Sequence, residues 1–168
     1  MIRHFEATPE ERFAYLKMRR AVLGVTEEEN AGGSDEEPEA VSGAISQERY
    51  AEMSAAEDLI LTITSGGMGK TSSSHDYPVR GRGGQGVVAM DLSDRRGRET
   101  GRIVAAFPVE MSDQVMLVTS GGQSIRMPVE GISFRSRSVG GVRVFDVDGE
   151  EVVSVAKIAE QAEADPSE

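Results

Sequence analysis

Two pairs of arginines are the residues of this chain whose type and spacing indicate a chemistry. The first pair stands in the stretch Arg80-Gly81-Arg82-Gly83-Gly84-Gln85-Gly86, and the second in Arg135-Ser136-Arg137-Ser138-Val139-Gly140-Gly141. A guanidinium group binds phosphate through two parallel hydrogen bonds, and glycine lets the backbone approach an anion closely. The alternative is a flexible surface loop with solvated arginines, but recurrence at equivalent positions favours contact with a polyanion.

The two loops belong to an internal repeat. Residues 60–91 align without gaps with residues 115–146, so that Ser65-Gly66-Gly67 corresponds to Ser120-Gly121-Gly122 and Asp91 to Asp146. A period of about 50 residues in strand-like sequence is typical of propeller-type blades, each of which must stack on a neighbour to bury its apolar face. Two blades cannot close a ring, so we expect the chain to be a piece of something larger or an assembly partner.

The charge distribution agrees with a central surface for an anion. The chain carries a net charge of -11, but residues 66–147 hold 11 basic against 8 acidic side chains, and all but one of the basic residues are arginines. Residues 1–65 and 148–168 are strongly acidic and could compete with the anion for this surface. Cysteine is absent and the apolar runs are only strand-sized, which predicts a cytoplasmic protein without disulfides or a membrane span.

The region before the repeats is predicted to be helical in two places. Residues 1–25 form a helical segment, in which Thr8 caps the helix and Gly24 stops it, and residues 46–58 form a short helix that begins after Ser46. Residues 26–45 are acidic and rich in glycine and serine, which predicts a disordered linker. Residues 159–168 form an acidic tail.

Each repeat is predicted to be a blade of four strands. The first blade, residues 59–109, has strand patterns at 59–64, 68–74, 86–92 and 102–109. The second blade, residues 110–158, has them at 115–119, 123–128, 142–147 and 151–158. The loop of the first blade that contains Arg95, Arg96 and Arg98 is longer than its counterpart at Asp148-Gly149, which favours surface contact. The fold class is therefore mainly β.

Two further patterns resemble catalytic motifs without meeting their requirements. Residues 64–71 read TSGGMGKT, close to a phosphate-binding P-loop, but the following Ser-Ser-Ser-His-Asp-Tyr-Pro is a poor helix and the second repeat reads TSGGQSIR. Ser74, His75 and Asp76 are consecutive and cannot adopt the geometry of a catalytic triad. We expect no metal site and no catalytic residue in this chain.

The residues from 60 to 158 resemble the C-terminal domain of the DNA gyrase A protein. The stretch at 80–86 is similar to the gyrase A box, Gln-Arg-Arg-Gly-Gly-Lys-Gly, through Arg82, Gly83, Gly84 and Gly86, whereas Arg80, Gly81 and Gln85 depart from it. In the copy at 135–141 only Arg137 and Gly141 match. The phrases IVAAFPVEMSDQVMLVTSGGQSIRMPV and GVRVFDVDGEEVVSVAKIAE also resemble blades of that family.

The resemblance implies a β-pinwheel, a propeller-like domain of about six blades that exchange strands with their neighbours and wrap duplex DNA. It implies a part in an ATP-dependent type II topoisomerase that introduces negative supercoils. The tyrosine nucleophile, ATP and magnesium would then belong to other parts of the holoenzyme, with no cofactor in this chain. The partners implied are duplex DNA, the remaining blades and breakage-reunion domain of the gyrase A protein, and the gyrase B protein.

The sequence thus predicts two β-pinwheel blades that follow an N-terminal helical, partly disordered insertion. The predicted function is sequence-independent wrapping of DNA. The expected phosphate contacts are Lys70, Arg80, Arg82, Arg126, Arg135 and Arg137. Two alternatives stay open. One is the related A protein of topoisomerase IV, and the other is a propeller-type scaffold that binds a partner protein.

Overall fold

The computed structural model of the chain describes residues 5–26, 44–94 and 96–159. It contains two helices and seven strands, with bounds α1 (Pro9–Leu23), α2 (Gln47–Ala56), β1 (Leu59–Thr64), β2 (Met68–Ser73), β3 (Ile103–Val109), β4 (Gln114–Thr119), β5 (Ser124–Pro128), β6 (Val142–Arg143) and β7 (Val152–Ile158). Short 3-10 helices follow β2 and β5, at Ser74–Asp76 and Val129–Gly131. The predicted linker at 26–45 and tail at 159–168 fall almost entirely outside the described residues.

Both helices begin at the predicted capping residues. The Thr8 hydroxyl accepts a hydrogen bond from the Glu11 amide at 3.2 Å, and the Glu11 carboxylate accepts one from the Thr8 amide at 2.9 Å. This reciprocal pair satisfies two of the amide donors that the first turn leaves without partners. Gly24 ends α1 with φ of 69°, a left-handed conformation. Ser46 caps α2 by accepting from the Arg49 amide at 3.1 Å.

The repeated Thr-Ser-Gly-Gly sequence builds the same turn twice. The Thr64 hydroxyl accepts from the Met68 amide at 3.2 Å, and the Thr119 hydroxyl accepts from the Gln123 amide at 3.1 Å. The turns need Gly67 and Gly122, whose φ angles of 79° and 86° are strained for other residues. Each turn joins an antiparallel pair, β1 with β2 and β4 with β5.

The strands form two sheets, and one strand crosses between the repeats. The first sheet has the order β3-β1-β2-β6 and the second β5-β4-β7. Strand β6 belongs to the second repeat in sequence but pairs with β2 of the first, with Val142 opposite Gly69. The prediction of four strands in the second blade is therefore wrong. The third predicted strand of that blade, β6, joins the sheet of the first repeat instead. The predicted strand at 86–92 is also wrong, because these residues form only an isolated bridge from Asp91 to Gly140.

Residues before β6 extend this junction. The Thr71 amide donates to the Ser133 carbonyl at 3.0 Å, and the Arg135 amide donates to the Thr71 carbonyl at 2.8 Å. The close approach requires glycine, since a Cβ at Gly141 would lie 2.9 Å from the Gly69 backbone. The second repeat therefore covers the outer edge of β2.

The core lies between the two sheets. Leu61 and Ile63 of β1 and Val115 and Leu117 of β4 are fully buried in one cluster with Val152 of β7. Burying each such side chain stabilises the fold by about 1.5–3 kcal/mol relative to leaving it in water. Every residue of β1 is buried, as expected for a central strand covered on both faces. The two repeats thus share one core.

The helices pack on the turn that follows β2. His75 is buried and makes edge contacts with the rings of Tyr15 and Phe5, at centroid distances of 5.1 and 5.6 Å. Its Nε2 atom lies 2.7 Å from the Met53 carbonyl of α2. Arg20 of α1 donates to the Ser136 hydroxyl at 2.8 Å, so α1 also contacts the second repeat. No helix in the described part of the chain is long and apolar enough to cross a membrane.

Candidate nucleic-acid interface

The loop at 80–86 projects from the surface, and all seven of its residues are exposed. Within residues 5–26, 44–94 and 96–159, neither the Arg80 nor the Arg82 guanidinium makes a hydrogen bond or an ion pair. Gly83 and Gly86 have φ angles of 81° and 78°, and a Cβ on either would meet no atom within 4 Å. The glycines therefore set the backbone conformation and leave it accessible, while the two arginines present their charges to solvent.

The equivalent loop at 135–141 is buried at its centre instead, from Ser136 to Val139. The Arg137 side chain passes into the first repeat, where Nε donates to the Asp76 carbonyl at 2.8 Å and Nη1 donates to the Val88 carbonyl. The Arg137 amide donates to the Asp76 carboxylate at 2.8 Å, and Nε lies 3.9 Å from the other carboxylate oxygen. Only 8% of Arg137 is exposed. Its guanidinium is thus bound inside the fold, whereas the sequence predicts a phosphate contact at this residue.

Lys70 lies in β2 and is fully buried against the same loop. Its Nζ atom donates to the carbonyls of Ser136, Arg137 and Val139 at 2.7, 2.5 and 2.6 Å. Burial lowers the pKa of Lys70 to about 7, an effect that nearby Asp76 opposes. Three carbonyl acceptors match the three N–H donors of an ammonium group, which favours the charged form. The ammonium binds backbone carbonyls inside the protein, and because Lys70 is fully buried, no phosphate can reach it in this conformation.

The remaining predicted contacts lie on or near the surface. Arg126 is exposed on the edge strand β5, where its Nε donates to the Gln114 side chain of β4. Arg135 is half-buried, and its amide holds the junction with Thr71.

The longer loop of the first repeat is organised by Asp94. Its carboxylate accepts from the amides of Arg96 and Arg98 and pairs with the Arg98 guanidinium at 2.7 Å. These hydrogen bonds, that of the Arg98 amide first, hold the pKa of Asp94 below its usual range. Arg95 lies outside the described residues. The Arg98 charge is therefore already paired within its own loop.

The structure brings the two loops together through Asp76 and Val88. Neither residue was identified from the sequence as a partner of the loops. Asp76 precedes the loop at 80–86 and Val88 follows it, and both bind the Arg137 guanidinium. One sequence signal distinguishes the loops. Where the first has Gly81, Gly83 and Gly84, the second has Ser136, Ser138 and Val139, three residues that are buried. The replacement of the three glycines by residues with side chains indicates that the second loop packs against its surroundings.

The catalytic patterns have structural roles in the fold. Lys70 and Thr71 continue in strand β2 and do not open a helix, so residues 64–71 lack the helix N-terminus of a P-loop. His75 packs against the helices, and Asp76 binds Arg137, so the two residues serve separate contacts. The described residues contain no group of three or more acidic or histidine side chains that could hold a metal ion.

Comparisons with known protein sequences agree on one family. Residues 58–110 and 113–159 match the family model described as DNA gyrase C-terminal domain, beta-propeller. The DNA gyrase A protein of Granulibacter bethesdensis is 44% identical over 161 residues, which are 92% of this chain and 17% of that protein. The DNA gyrase A protein of Rickettsia conorii is 37% identical over 166 residues, 98% of this chain and 18% of that protein. The chain therefore spans less than a fifth of the length of these relatives.

Two solved structures share the fold. A DNA gyrase A C-terminal domain superposes with a TM-score of 0.55 and 24% identity, covering 61% of this chain and 34% of that chain. The C-terminal domain of a DNA topoisomerase IV superposes with a TM-score of 0.53 and 24% identity, covering 60% and 31%. Each matched chain is longer than the part it shares with the two repeats.

Proposed function

We propose that this chain, which belongs to the family of DNA gyrase C-terminal domains, binds the backbone of duplex DNA without reading its sequence. The observation that carries the proposal is the loop at 80–86, where two arginines face solvent from an open, glycine-rich backbone. Guanidinium groups with no partner among the described residues are available for phosphate oxygens, and such contacts position a duplex without distinguishing its bases.

The proposed contact set differs from the predicted one. Arg80 and Arg82 are its principal members, and Arg126 and Arg135 are secondary members. Lys70 and Arg137 are left out, because three backbone carbonyls bind the ammonium of the first and two bind the guanidinium of the second. Moving the Lys70 ammonium to the surface would leave the carbonyls of three buried residues without donors, which costs about 1–3 kcal/mol for each group.

We further propose that the chain wraps DNA as part of the DNA gyrase A protein. Its two repeats share strands, which leaves β5 as an edge strand that could receive a strand from a further repeat. A series of such blades would offer successive phosphate contacts along a curved path. In this proposal the protein acts in the cytoplasm with the rest of the gyrase A protein and with the gyrase B protein, and ATP-dependent negative supercoiling belongs to the whole enzyme.

The A protein of topoisomerase IV is a second candidate. The C-terminal domain of a topoisomerase IV superposes almost as well as that of gyrase, with TM-scores of 0.53 and 0.55. The relatives described above are gyrase A proteins, and the Arg-Gly-Arg-Gly-Gly pattern from Arg80 resembles the gyrase A box more than the eroded boxes of topoisomerase IV, which favours gyrase. Measuring the hand of the DNA crossing stabilised by the whole protein would separate the two.

A salt titration of binding to random-sequence duplex DNA tests the proposal. For the unchanged chain, the logarithm of the binding constant should fall linearly with the logarithm of salt concentration, with a slope of about -0.9 for each neutralised phosphate. In Arg80→Gln/Arg82→Gln the slope should become less negative by about 1.8, because two contacts are lost. Duplexes of different sequence should give the same values.

A matched control separates these contacts from net charge. Lys17→Gln/Arg143→Gln removes the same number of positive charges from exposed positions outside the loop. The control should bind with nearly the slope of the unchanged chain. An equal loss in both double variants would show that overall charge accounts for binding, and a salt-insensitive interaction would point to the protein-interaction scaffold instead.

A further inference from the structure

We propose that Arg137 is a positioning residue, which fixes both ends of the loop at 80–86 so that Arg80 and Arg82 are held ready for DNA. The inference rests on the proposed function. It assigns the arginine of the second loop a role that differs from that of its equivalent, Arg82, although both stand at the same position of the repeat.

The guanidinium reaches the two segments that bracket the loop. Nε donates to the carbonyl of Asp76, before the loop, and Nη1 donates to the carbonyl of Val88, after it. The planar guanidinium carries its donors on separate nitrogens in a fixed relative geometry, so Nε and Nη1 can reach two carbonyls that an ammonium would have to reach from a single nitrogen. Arg137 therefore joins the chain four residues before the loop to the chain two residues after it.

Arg137 is itself held from three sides. Its amide donates to the Asp76 carboxylate at 2.8 Å. Its carbonyl, with those of Ser136 and Val139, accepts from the Lys70 ammonium. The neighbouring Ser136 hydroxyl accepts from Arg20 of α1 at 2.8 Å. The side chain thus extends from a fixed backbone, and its burial leaves it little freedom to turn outward.

Anchoring the ends of the loop lowers the cost of ordering it on DNA. A loop with free ends samples many positions of Arg80 and Arg82, and binding must select one, which costs conformational entropy for each side chain that is immobilised. Loss of the anchors should therefore weaken binding through those two arginines alone. For two side chains the expected effect is about tenfold in the dissociation constant.

A double-mutant cycle on DNA binding tests this coupling. Arg137→Gln should weaken binding to a random duplex about tenfold in the otherwise unchanged chain, and less than about twofold when Arg80→Gln/Arg82→Gln is already present. Arg137→Lys keeps the charge but lacks the fork, so it should lose most of the same affinity. A direct phosphate contact predicts that Lys retains affinity and that the loss through Gln is equal in both backgrounds.

Folding and function are monitored separately. Each variant is compared with the unchanged chain by circular dichroism and thermal unfolding at the temperature of the binding assay, and Arg137→Lys, which keeps a cation beside Asp76, is decisive if Arg137→Gln does not fold. Equal losses in both backgrounds, or unchanged affinity of a folded Arg137→Lys variant, would overturn the inference alone. Absence of DNA binding by the unchanged chain would overturn the proposed function.

Discussion

The loops at 80–86 and 135–141 have the same origin in the repeat and opposite environments. Arg82 lies in solvent, whereas Arg137 is 8% exposed and binds the carbonyls of the first repeat. The difference shows that an arginine kept in register between repeats need not keep its environment. In the proposed division of roles, the first repeat presents its arginine pair to DNA, and the second uses Arg137 to hold the first loop in place.

The contrast has a cause in the residues between the arginines. The second loop has Ser136, Ser138 and Val139, whose side chains pack at the junction, and its carbonyls face the Lys70 ammonium. The first loop has glycines at those three positions and so has no side chains to bury there. The first loop itself therefore offers little apolar side-chain surface for packing.

The largest effect on stability should come from Lys70. In Lys70→Met, the three carbonyls of Ser136, Arg137 and Val139 lose their donor inside the fold, and we expect the free energy of unfolding to fall by about 3 kcal/mol. Arg82→Met, in which an exposed cation is replaced, should change it by less than about 0.5 kcal/mol. Urea unfolding measures both. Similar values would abolish the distinction between the loops.

The glycines of the two loops should respond differently to a methyl group. In Gly141→Ala the new Cβ would lie 2.9 Å from the backbone of Gly69, and separating β2 from β6 should cost about 1–3 kcal/mol. Gly81→Ala adds a methyl group that meets nothing within 4 Å, so its stability should be nearly unchanged. Thermal unfolding of the two variants gives the comparison. A stable Gly141→Ala protein would contradict a tightly packed junction.

The buried ammonium also predicts a dependence on pH. Burial lowers the pKa of Lys70 to about 7, below the value of about 10.4 for a lysine in the unfolded chain. Between these values the unfolded chain binds the proton more tightly, so stability should rise with pH by about 1.4 kcal/mol per unit at most. Below pH 7 this contribution should be flat. The difference in the free energy of unfolding between the unchanged chain and Lys70→Met isolates the contribution of Lys70. A difference that does not change with pH would refute the lowered pKa.

The smallest effect on stability is expected at the proposed contact site. In Arg80→Gln/Arg82→Gln no hydrogen bond or ion pair within the described residues is lost, so the free energy of unfolding should stay within about 0.5 kcal/mol of the unchanged value. The same variant should show the weaker salt dependence of DNA binding. A protein that loses both stability and DNA binding would indicate that these arginines support the fold.

The sequence predicted the elements of this fold better than their partners. Capping residues located both helices, and the duplicated Thr-Ser-Gly-Gly turn located β1, β2, β4 and β5 within a residue. The strand pattern alone did not predict the pairing of β6 with β2, because it specifies a pleated segment and not the sheet that it joins; strand exchange between blades was implied only by the family resemblance. The pattern at 86–92 also predicted a strand without showing which edge it could join. The edge of β2 is already occupied by β6.

The candidate site was predicted in part for a related reason. Charge and glycine content identified the exposed loop, but a buried Lys70 and a buried Arg137 contradict the usual rule that cations stay in water. Their burial depends on carbonyls from another repeat, contacts of long range that no local pattern records. Asp76 escaped prediction as a partner because its position beside His75 suggested a different chemistry.

Hydrogen exchange with and without random duplex DNA tests the division of roles most directly, because it reads both loops in one measurement. We expect the amides at 80–86 to exchange rapidly in the free protein and slowly with DNA bound. The amides of Arg135 and Arg137, which donate to Thr71 and Asp76, should exchange slowly in both states. DNA-dependent slowing at 135–141 with no change at 80–86 would contradict the account.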